Sequence, residues 1–434
     1  MSMENSSGIR HWKKYPEYKD SGVEWLGIVP EGWEINNFRN ACTFHNGRAY
    51  KLDEWENEGI PVIRLQNLTG KNEYYYSKLK LPSQQYCDHN DLLYMWSASF
   101  GPYFWTGEKA IFHYHIWKVV PIHKKFDKKF LFYKLEEITV QMKNQFTNGG
   151  IMPHITKDMM EKTKIALPPY PEQTAIATFL DHEMTRINAL ISKKERQIEL
   201  LNERSVSLTS NAVTKGLNLN ARMKNSGIEW IGEVPEHWKI IKTKYLFKLT
   251  NEKAPNDNSF DLISVYSDIG VKPRKELEAR GNKASTTDGY TIVKKGDIIV
   301  NKLLAWMGAI GYSNYDGVTS PAYDILRKKV ELNSKFYDYL FRCGIYLPEF
   351  QRRSRGIMDM RWRLYFEELG QIPVVYPDLV EQDKIVAYID RKTAIIDAFK
   401  EKIQQSINLT KEYRTSLISA AVTGKIDVRN EVKA

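Results

Sequence analysis

Cysteine is scarce in this chain. Three residues, Cys42, Cys87 and Cys343, stand among 434. They are odd in number and lack metal-ligand spacing, so no disulfide framework is expected and a reducing compartment is. No run of about 20 apolar residues exists to span a bilayer, and Met1 to Asp20 is polar where a signal peptide would be apolar. The expectation is a cytoplasmic protein with no membrane contact. Glycine patterns that bind nucleotides are missing too: there is no Gly-x-Gly-x-x-Gly, and Val422-Thr-Gly-Lys-Ile426 lacks the earlier glycine and the Ser or Thr of a phosphate-binding loop. Asp378, Glu381 and Lys384 superficially suggest a metal nuclease, but they fall at a strand-to-helix junction with the wrong spacing. His113 and His115 alternate along an expected strand and would face one side as two zinc ligands do, yet no third ligand is near. No catalytic residue and no metal site is assigned.

Acidic residues are the minority charge, 53 against 63 Lys and Arg, for a formal charge of +10. That balance favours a polyanionic partner without proving one. A hydrophobic content of 42% over this length is enough for two or three domains with proper cores.

What the chain has is repetition. Glu172-Gln173 opens a segment that returns 209 residues later at Glu381-Gln382 with no gap, and the matches include polar pairs such as Asp181 with Asp390 and Glu203 with Glu412. Apolar residues recur three and four apart in each copy, which predicts two long helices. The stripes are Ile176, Leu180, Ile187, Leu190, Ile191, Ile198, Leu201 and Leu208 in one copy and Ile385, Ile389, Ile396, Phe399, Ile403, Ile407 and Leu417 in the other. Prolines before each copy, and Gly216 and Gly424 after, are start and stop signals. The shared segment makes a rod of roughly 60 Å at about 1.5 Å per residue, and its narrow stripe needs a partner, which the other copy supplies. A second repeat pairs Lys19 to Trp33 with Lys224 to Trp238, so the chain is an internal duplication: opening motif, variable body, long helix. Trp25, Trp33, Trp230 and Trp238 read as anchors of that lead-in.

The bodies, about residues 34–167 and 239–376, barely resemble each other in sequence. Strands are expected at Ile60 to Leu65, Leu92 to Trp96 and Ile111 to Val120, and at Phe260 to Tyr266, Tyr290 to Val293 and Asp297 to Val300. Short helices are expected at Lys128 to Phe146 and Ser334 to Arg342. The fold class is α/β (α+β): two mixed bodies and an antiparallel pair of long helices. The divisions are 1–167, lead-in and first body; 168–216, first long helix; 217–376, linker, repeated lead-in and second body; and 377–434, second long helix and tail.

The doubled lead-in, the Pro-then-Glu-Gln entry into a long helix and the duplication itself resemble the specificity subunit of type I restriction-modification systems, over about Tyr18 to Val428. Pro61 to Leu68 with Asp91 to Gly101 resembles one class of that family's target recognition domains, and Leu262 to Val271 with Ser320 to Tyr323 another. The resemblance implies two recognition domains at opposite ends of the helix pair, each reading half of a bipartite, asymmetric DNA site. It implies docking to two methyltransferase subunits and to restriction/translocase subunits. S-adenosylmethionine, ATP and Mg would belong to those partners, with none in this chain.

Base readout and phosphate contact need Arg, Lys, Asn, Gln or Ser on loops. Candidates in the first body are Arg48, Arg64, Gln66, Asn67, Ser97 and Ser99; in the second, Arg274, Lys302, Arg353, Arg355, Arg361 and Arg363. For each, a solvated charge or a salt bridge is the competing reading. A stand-alone DNA-binding regulator, or a scaffold joining two proteins without DNA, is the alternative function.

Overall fold

The computed structural model describes residues 12–97, 99–122, 126–146, 155–267, 269–276, 287–356 and 362–431. The chain divides into two compact units, Met1–Lys194 with Gln405–Ala434, and Glu195–Gln404. Each unit therefore holds one lead-in, one body, part of the first long helix (Tyr170–Lys215) and part of the second (Leu379–Val422).

In the first unit the lead-in is a ribbon, Tyr18–Asp20 antiparallel to Ile28–Pro30. The body carries an antiparallel sheet ordered Cys42–Asn46, Ile116–Pro121, Leu92–Met95, Gly101–Phe104. A second sheet is ordered Tyr75–Ser77, Ile60–Ile63, Ala110–Phe112, Tyr86–Cys87, with its middle pair parallel. The single strand expected over Ile111 to Val120 is thus two strands in two sheets, and His113 and His115 lie in the turn between them rather than on one strand face. The turn is held by backbone bonds from Arg48 N to Phe112 O and from Tyr114 N to Arg48 O, both 3.1 Å, and from His113 N to Ile63 O at 2.9 Å. Gly47 permits this crossing, because a Cβ there would stand 2.3 Å from the carbonyl oxygens of Phe112 and His113.

The second unit repeats the scheme. Its lead-in ribbon pairs Met223–Asn225 with Glu233–Pro235. Its main sheet runs Phe247–Thr250, Tyr323–Lys328, Ile298–Asn301, Ile310–Tyr312, again all antiparallel. Ile263–Tyr266 pairs with Gly270–Pro273, and Thr291–Val293 with Gly317–Thr319. Two bodies that look unrelated in sequence therefore share one sheet order. The strand expected from Phe260 begins at Ile263. The expected short helices are present as Lys128–Phe146 and Ser334–Phe341, while Lys157–Lys162 and Leu347–Arg353 were not anticipated.

The duplicated polar residues explain why the frame is kept. Glu172 accepts hydrogen bonds from the Trp33 indole at 3.0 Å and the Tyr15 hydroxyl at 2.6 Å. Glu381 accepts from the Trp238 indole at 2.9 Å and faces His237 Nε2 at 2.8 Å. Gln173 donates to Pro168 O and accepts from Asp127 N, each 2.9 Å; Gln382 does the same with Pro377 O and Asn333 N, each 2.9 Å. Asp181 takes the Lys129 ammonium at 2.5 Å and the Tyr133 hydroxyl at 2.7 Å. Asp390 takes Lys335 at 2.7 Å and also the Tyr339 hydroxyl. Each long helix thus holds its lead-in with Glu, and the helix of its body with Gln and Asp.

Within each unit the two long helices are antiparallel. A Cβ on Gly424 would touch Trp33, whose indole reaches Glu172, while farther along Asn188, Ile191 and Ser192 share a groove with Lys411, Arg414 and Thr415. A Cβ on Gly216 would stand 3.2 Å from Glu381. Ile176, Leu180, Ile187, Ile385, Ile389, Ile396, Ile407 and Leu417 are buried, and Ile198 and Leu208 are half-buried. Leu190 and Phe399 are exposed, contrary to the stripe drawn through them. A straight helix drifts about 20° per heptad against a fixed spacing, so over 46 residues the buried line moves and Ile191 takes the inward position beside Leu190.

The units differ in one buried feature. In the first, Lys134 is fully buried 3.8 Å from Glu137, and Glu136 meets Arg414 at 3.2 Å. Burial raises the pKa of both glutamates and lowers that of Lys134. Counting along the matched body helices from Lys129 and Lys335, the corresponding positions in the second unit are Leu340 and Cys343, both apolar, with the Cys343 thiol 2.9 Å from the Ser210 hydroxyl.

Replacing Glu172 with Ala strands the indole N–H of buried Trp33 and the Tyr15 hydroxyl. The expected loss is about 1–3 kcal/mol in denaturant unfolding. In a double-mutant cycle the loss should be smaller when Trp33 is already Phe, because the indole no longer needs an acceptor.

Candidate nucleic-acid interface

In the main sheet of each body a hairpin loop follows a strand that opens on an aspartate. Asp91 accepts from Asp88 N at 2.9 Å and pairs with Lys118 at 2.6 Å. Asp297 accepts from Lys294 N at 2.9 Å and pairs with Arg327 at 2.8 Å. These bonds fix the start of the hairpin, so the loop at its other end is presented on a rigid strand pair. The loop carries Trp96, Ser97 and Ser99 in the first body and Lys302 to Ala309 in the second.

In the first body, Ser97 is half-buried, Ser99 is exposed, and Ser99 N donates to Ser97 O at 2.7 Å. Trp96 ties this loop to the sheet-crossing turn: its indole donates to Tyr114 O at 2.8 Å and its ring lies 5.3 Å from that of His115. Arg48 borders the same turn and is held by Glu54 at 2.6 Å, which raises the guanidinium pKa and lowers that of Glu54. Arg64 lies over the Tyr75 ring at 4.2 Å and the Trp55 ring at 5.7 Å. His113 is pushed down to about 4 from 6.5 by burial, then by His115 and Arg64. Asn67 departs from its expected role. Its Oδ1 accepts from Arg64 N at 2.9 Å and its Nδ2 donates to Lys71 O and Glu73 O, so the buried amide builds the turn instead of reaching outward. Gln66 is half-buried on the same short helix, Leu65–Leu68.

In the second body, Lys302 faces Asp324 at 3.5 Å and the Tyr365 ring at 6.0 Å. Leu364 N donates to Lys302 O, which brings the basic segment beside the loop. Arg355 and Arg363 exchange backbone hydrogen bonds of 2.9 Å, and the Arg355 guanidinium is paired with Glu368. Arg353 is held by Glu349 at 2.5 Å with Glu368 at 4.0 Å. Arg274 sits on a 3-10 turn near Tyr323, the cross-strand partner of Asn301, whose pKa burial raises while the nearby Arg274 charge opposes the shift. Arg361 lies outside the described residues. The structure thus gathers Lys302, Arg355 and Arg363 at one surface, while acidic partners tie down Lys302, Arg353 and Arg355.

Sequence reasoning missed the residues that join these candidates. Trp96 and Tyr114 in the first body, and Trp306, Trp362 and Tyr365 in the second, form aromatic ground beside the cations; Trp306 and Trp362 lie 5.5 Å apart. Aromatic residues directly following Met95 and Ala305 on expected hairpins were the available signal.

His113 generates a pH prediction. Its folded pKa of about 4 lies below 6.5, so between these values the unfolded chain takes up a proton that the fold refuses. Stability falls as pH drops from about 6.5 to 4 and is flat below. A His113→Gln variant should lose this part of the slope, read as the difference between wild-type and variant unfolding curves across that window.

Comparison with known proteins accords with this geometry. Residues 30–200 match the family described as the type I restriction modification DNA specificity domain. The chain is 26% identical to the type I restriction enzyme MjaVIII specificity subunit of Methanocaldococcus jannaschii, over 95% of this chain and 98% of that protein. It is 21% identical to the EcoBI specificity subunit of Escherichia coli, over 94% and 90%. Its fold is similar to a chain from a structural study of type I R-M system assembly, with a TM-score of 0.68 at 15% identity, covering 91% of this chain and 98% of that one. It is also similar to the HsdS subunit from Thermoanaerobacter tengcongensis, with a TM-score of 0.53 at 15% identity, covering 94% and 100%. With both halves built on one duplicated frame and relatives matched along nearly their whole length, the chain is similar from end to end to the type I restriction-modification specificity subunits.

Proposed function

We propose that this chain is the DNA-reading subunit of a type I restriction-modification complex, in which each body reads one half of a bipartite, asymmetric site and the long helices set the spacer. The observation that carries this is the duplicated clamp: matching Trp–Glu, Gln and Asp bonds hold two bodies whose hairpin loops differ in chemistry. A frame kept constant under changing loops is what two readers of different sequences need. Phosphate contacts from the exposed cations would fix register, and loop side chains would specify bases.

The chain is non-catalytic in this reading. Methylation, ATP-driven translocation and cleavage belong to two methyltransferase subunits and to restriction subunits, which hold S-adenosylmethionine, ATP and Mg, and the assembly works in the cytoplasm. No helix among the described residues is long and apolar enough to cross a membrane.

Methylation-motif sequencing of cells expressing this chain with its methyltransferase tests the reading. Exchanging residues 239–376 for the matching body of a relative should change one half of the motif and leave the other intact. Alteration of both halves would show joint reading. No sequence-specific methylation at all would favour the stand-alone regulator or the protein scaffold. Mass measurement of the purified complex should give two methyltransferase subunits per chain.

A further inference from the structure

The loop joining Ile298–Asn301 to Ile310–Tyr312 exposes three large apolar side chains within five residues: Leu303 at 38%, Leu304 at 44% and Met307 at 52%. Single exposed apolar residues are ordinary on a protein surface, whereas a cluster on one tip marks a binding site. The backbone of this loop leaves no freedom to fold them inward. Leu303 N donates to the Asn301 side chain at 3.1 Å, Met307 N and Ala309 N donate to Leu304 O at 2.9 and 3.1 Å, and Gly308 closes the turn at a φ of 90°. Ala305 is buried beneath, and the Trp306 indole donates to Leu303 O at 3.0 Å. The tip is therefore pre-formed, and binding would cost little ordering.

Its surroundings indicate the occupant. Lys302 opens the loop, and the Arg355–Arg363 strand pair lies alongside, with Arg355 largely exposed. Asp324 and Glu368 temper this charge and hold the cations in place, while the exposed guanidinium of Arg363 donates to the Tyr365 hydroxyl at 3.5 Å and meets no carboxylate among the described residues. A rigid apolar tip beside arginines suits a nucleic-acid duplex, because apolar side chains pressed between base pairs unstack a step while cations hold the flanking phosphates. In the first body the equivalent loop exposes Ser99, while its large side chains are half-buried and engaged, Trp96 with Tyr114 O at 2.8 Å and Phe100 under the Lys143 ammonium at 5.7 Å.

Resting on the DNA-reading function above, we propose that Leu303, Leu304 and Met307 form a wedge that unstacks one base step in the half-site read by the second body, and that the first body has no such wedge.

The test uses the full chain assembled with its methyltransferase partner and duplexes bearing the motif that methylation sequencing gives for that assembly. 2-Aminopurine is placed in turn at every position of both half-sites. Apart from the bases that the methyltransferase itself flips for methylation, which will brighten in both half-sites, fluorescence is expected to rise several-fold at one further position, in one half-site only. L303S/L304S/M307S should abolish the rise and weaken binding by roughly ten-fold, while a mismatch at that position, already unstacked, should return most of the lost affinity. Because all three side chains are exposed, the variant should keep the wild-type melting temperature; if it does not fold, M307S alone is read the same way. Absence of any rise outside the methylated positions with wild-type protein overturns the wedge, as does such a rise that survives the triple substitution. Sensitivity to thymine-to-uracil replacement without a rise would mean contact with a thymine methyl group, and failure of the variant to assemble with the methyltransferase would give the patch to a protein partner; either overturns the wedge and leaves the reading function standing. An assembly that methylates no motif overturns both, and is recognised before any fluorescence is measured.

Discussion

Everything in this fold hangs on two carboxylates that receive an indole N–H. Glu172 and Glu381 stand at the entrance of the long helices, where the helix N-terminus favours negative charge and the first turn has backbone donors to satisfy. Placed there, each can accept from a buried tryptophan of the lead-in. The neighbouring glutamine turns the other way and joins the start of the long helix to the start of the body helix. Two adjacent side chains thus fix three chain segments, and a little over two turns further on the aspartate adds a third fastening.

The long helices, their caps and the lead-in were legible because their signals are local: apolar spacing, proline before and glycine after, and a repeat that aligns without gaps. Asp181 and Asp390 stood out as matched polar positions before their purpose was visible. Their partners were legible too, in hindsight, since Lys129-Phe130 with Tyr133 returns as Lys335-Phe336 with Tyr339 inside bodies that otherwise diverge. The sheet order was not, because strand pairing is set by long-range contacts that single-strand patterns do not encode. The break at His113 was hidden for a similar reason: the apolar and aromatic run continues across it, and only Gly47, distant in sequence, makes room for the crossing. Among the candidate DNA contacts, residue type was a fair guide to location and a poor guide to role. Asn67 has the right chemistry for adenine and spends all of it on its own turn.

Equivalent cores were solved differently. The first body buries Lys134 and Glu137 where the second has Leu340 and Cys343. Removing charges from water costs more than their mutual attraction returns unless geometry is very good, and a separation of 3.8 Å between Lys134 and Glu137 is loose. The second body therefore has the cheaper interior at this point, and the two halves need not melt together even though their frames match.

The aspartate fastening has a structural corollary. A body meets the long helices through an apolar core, as where Phe336, Tyr337 and Leu340 pack with Ile385, Val386 and Ile389, and also at a short polar key: a lysine at the start of the body helix and a tyrosine one turn later meet the carboxylate at position 181 or 390. Such a short key, repeated in both halves, lets two bodies of unlike sequence share one means of attachment.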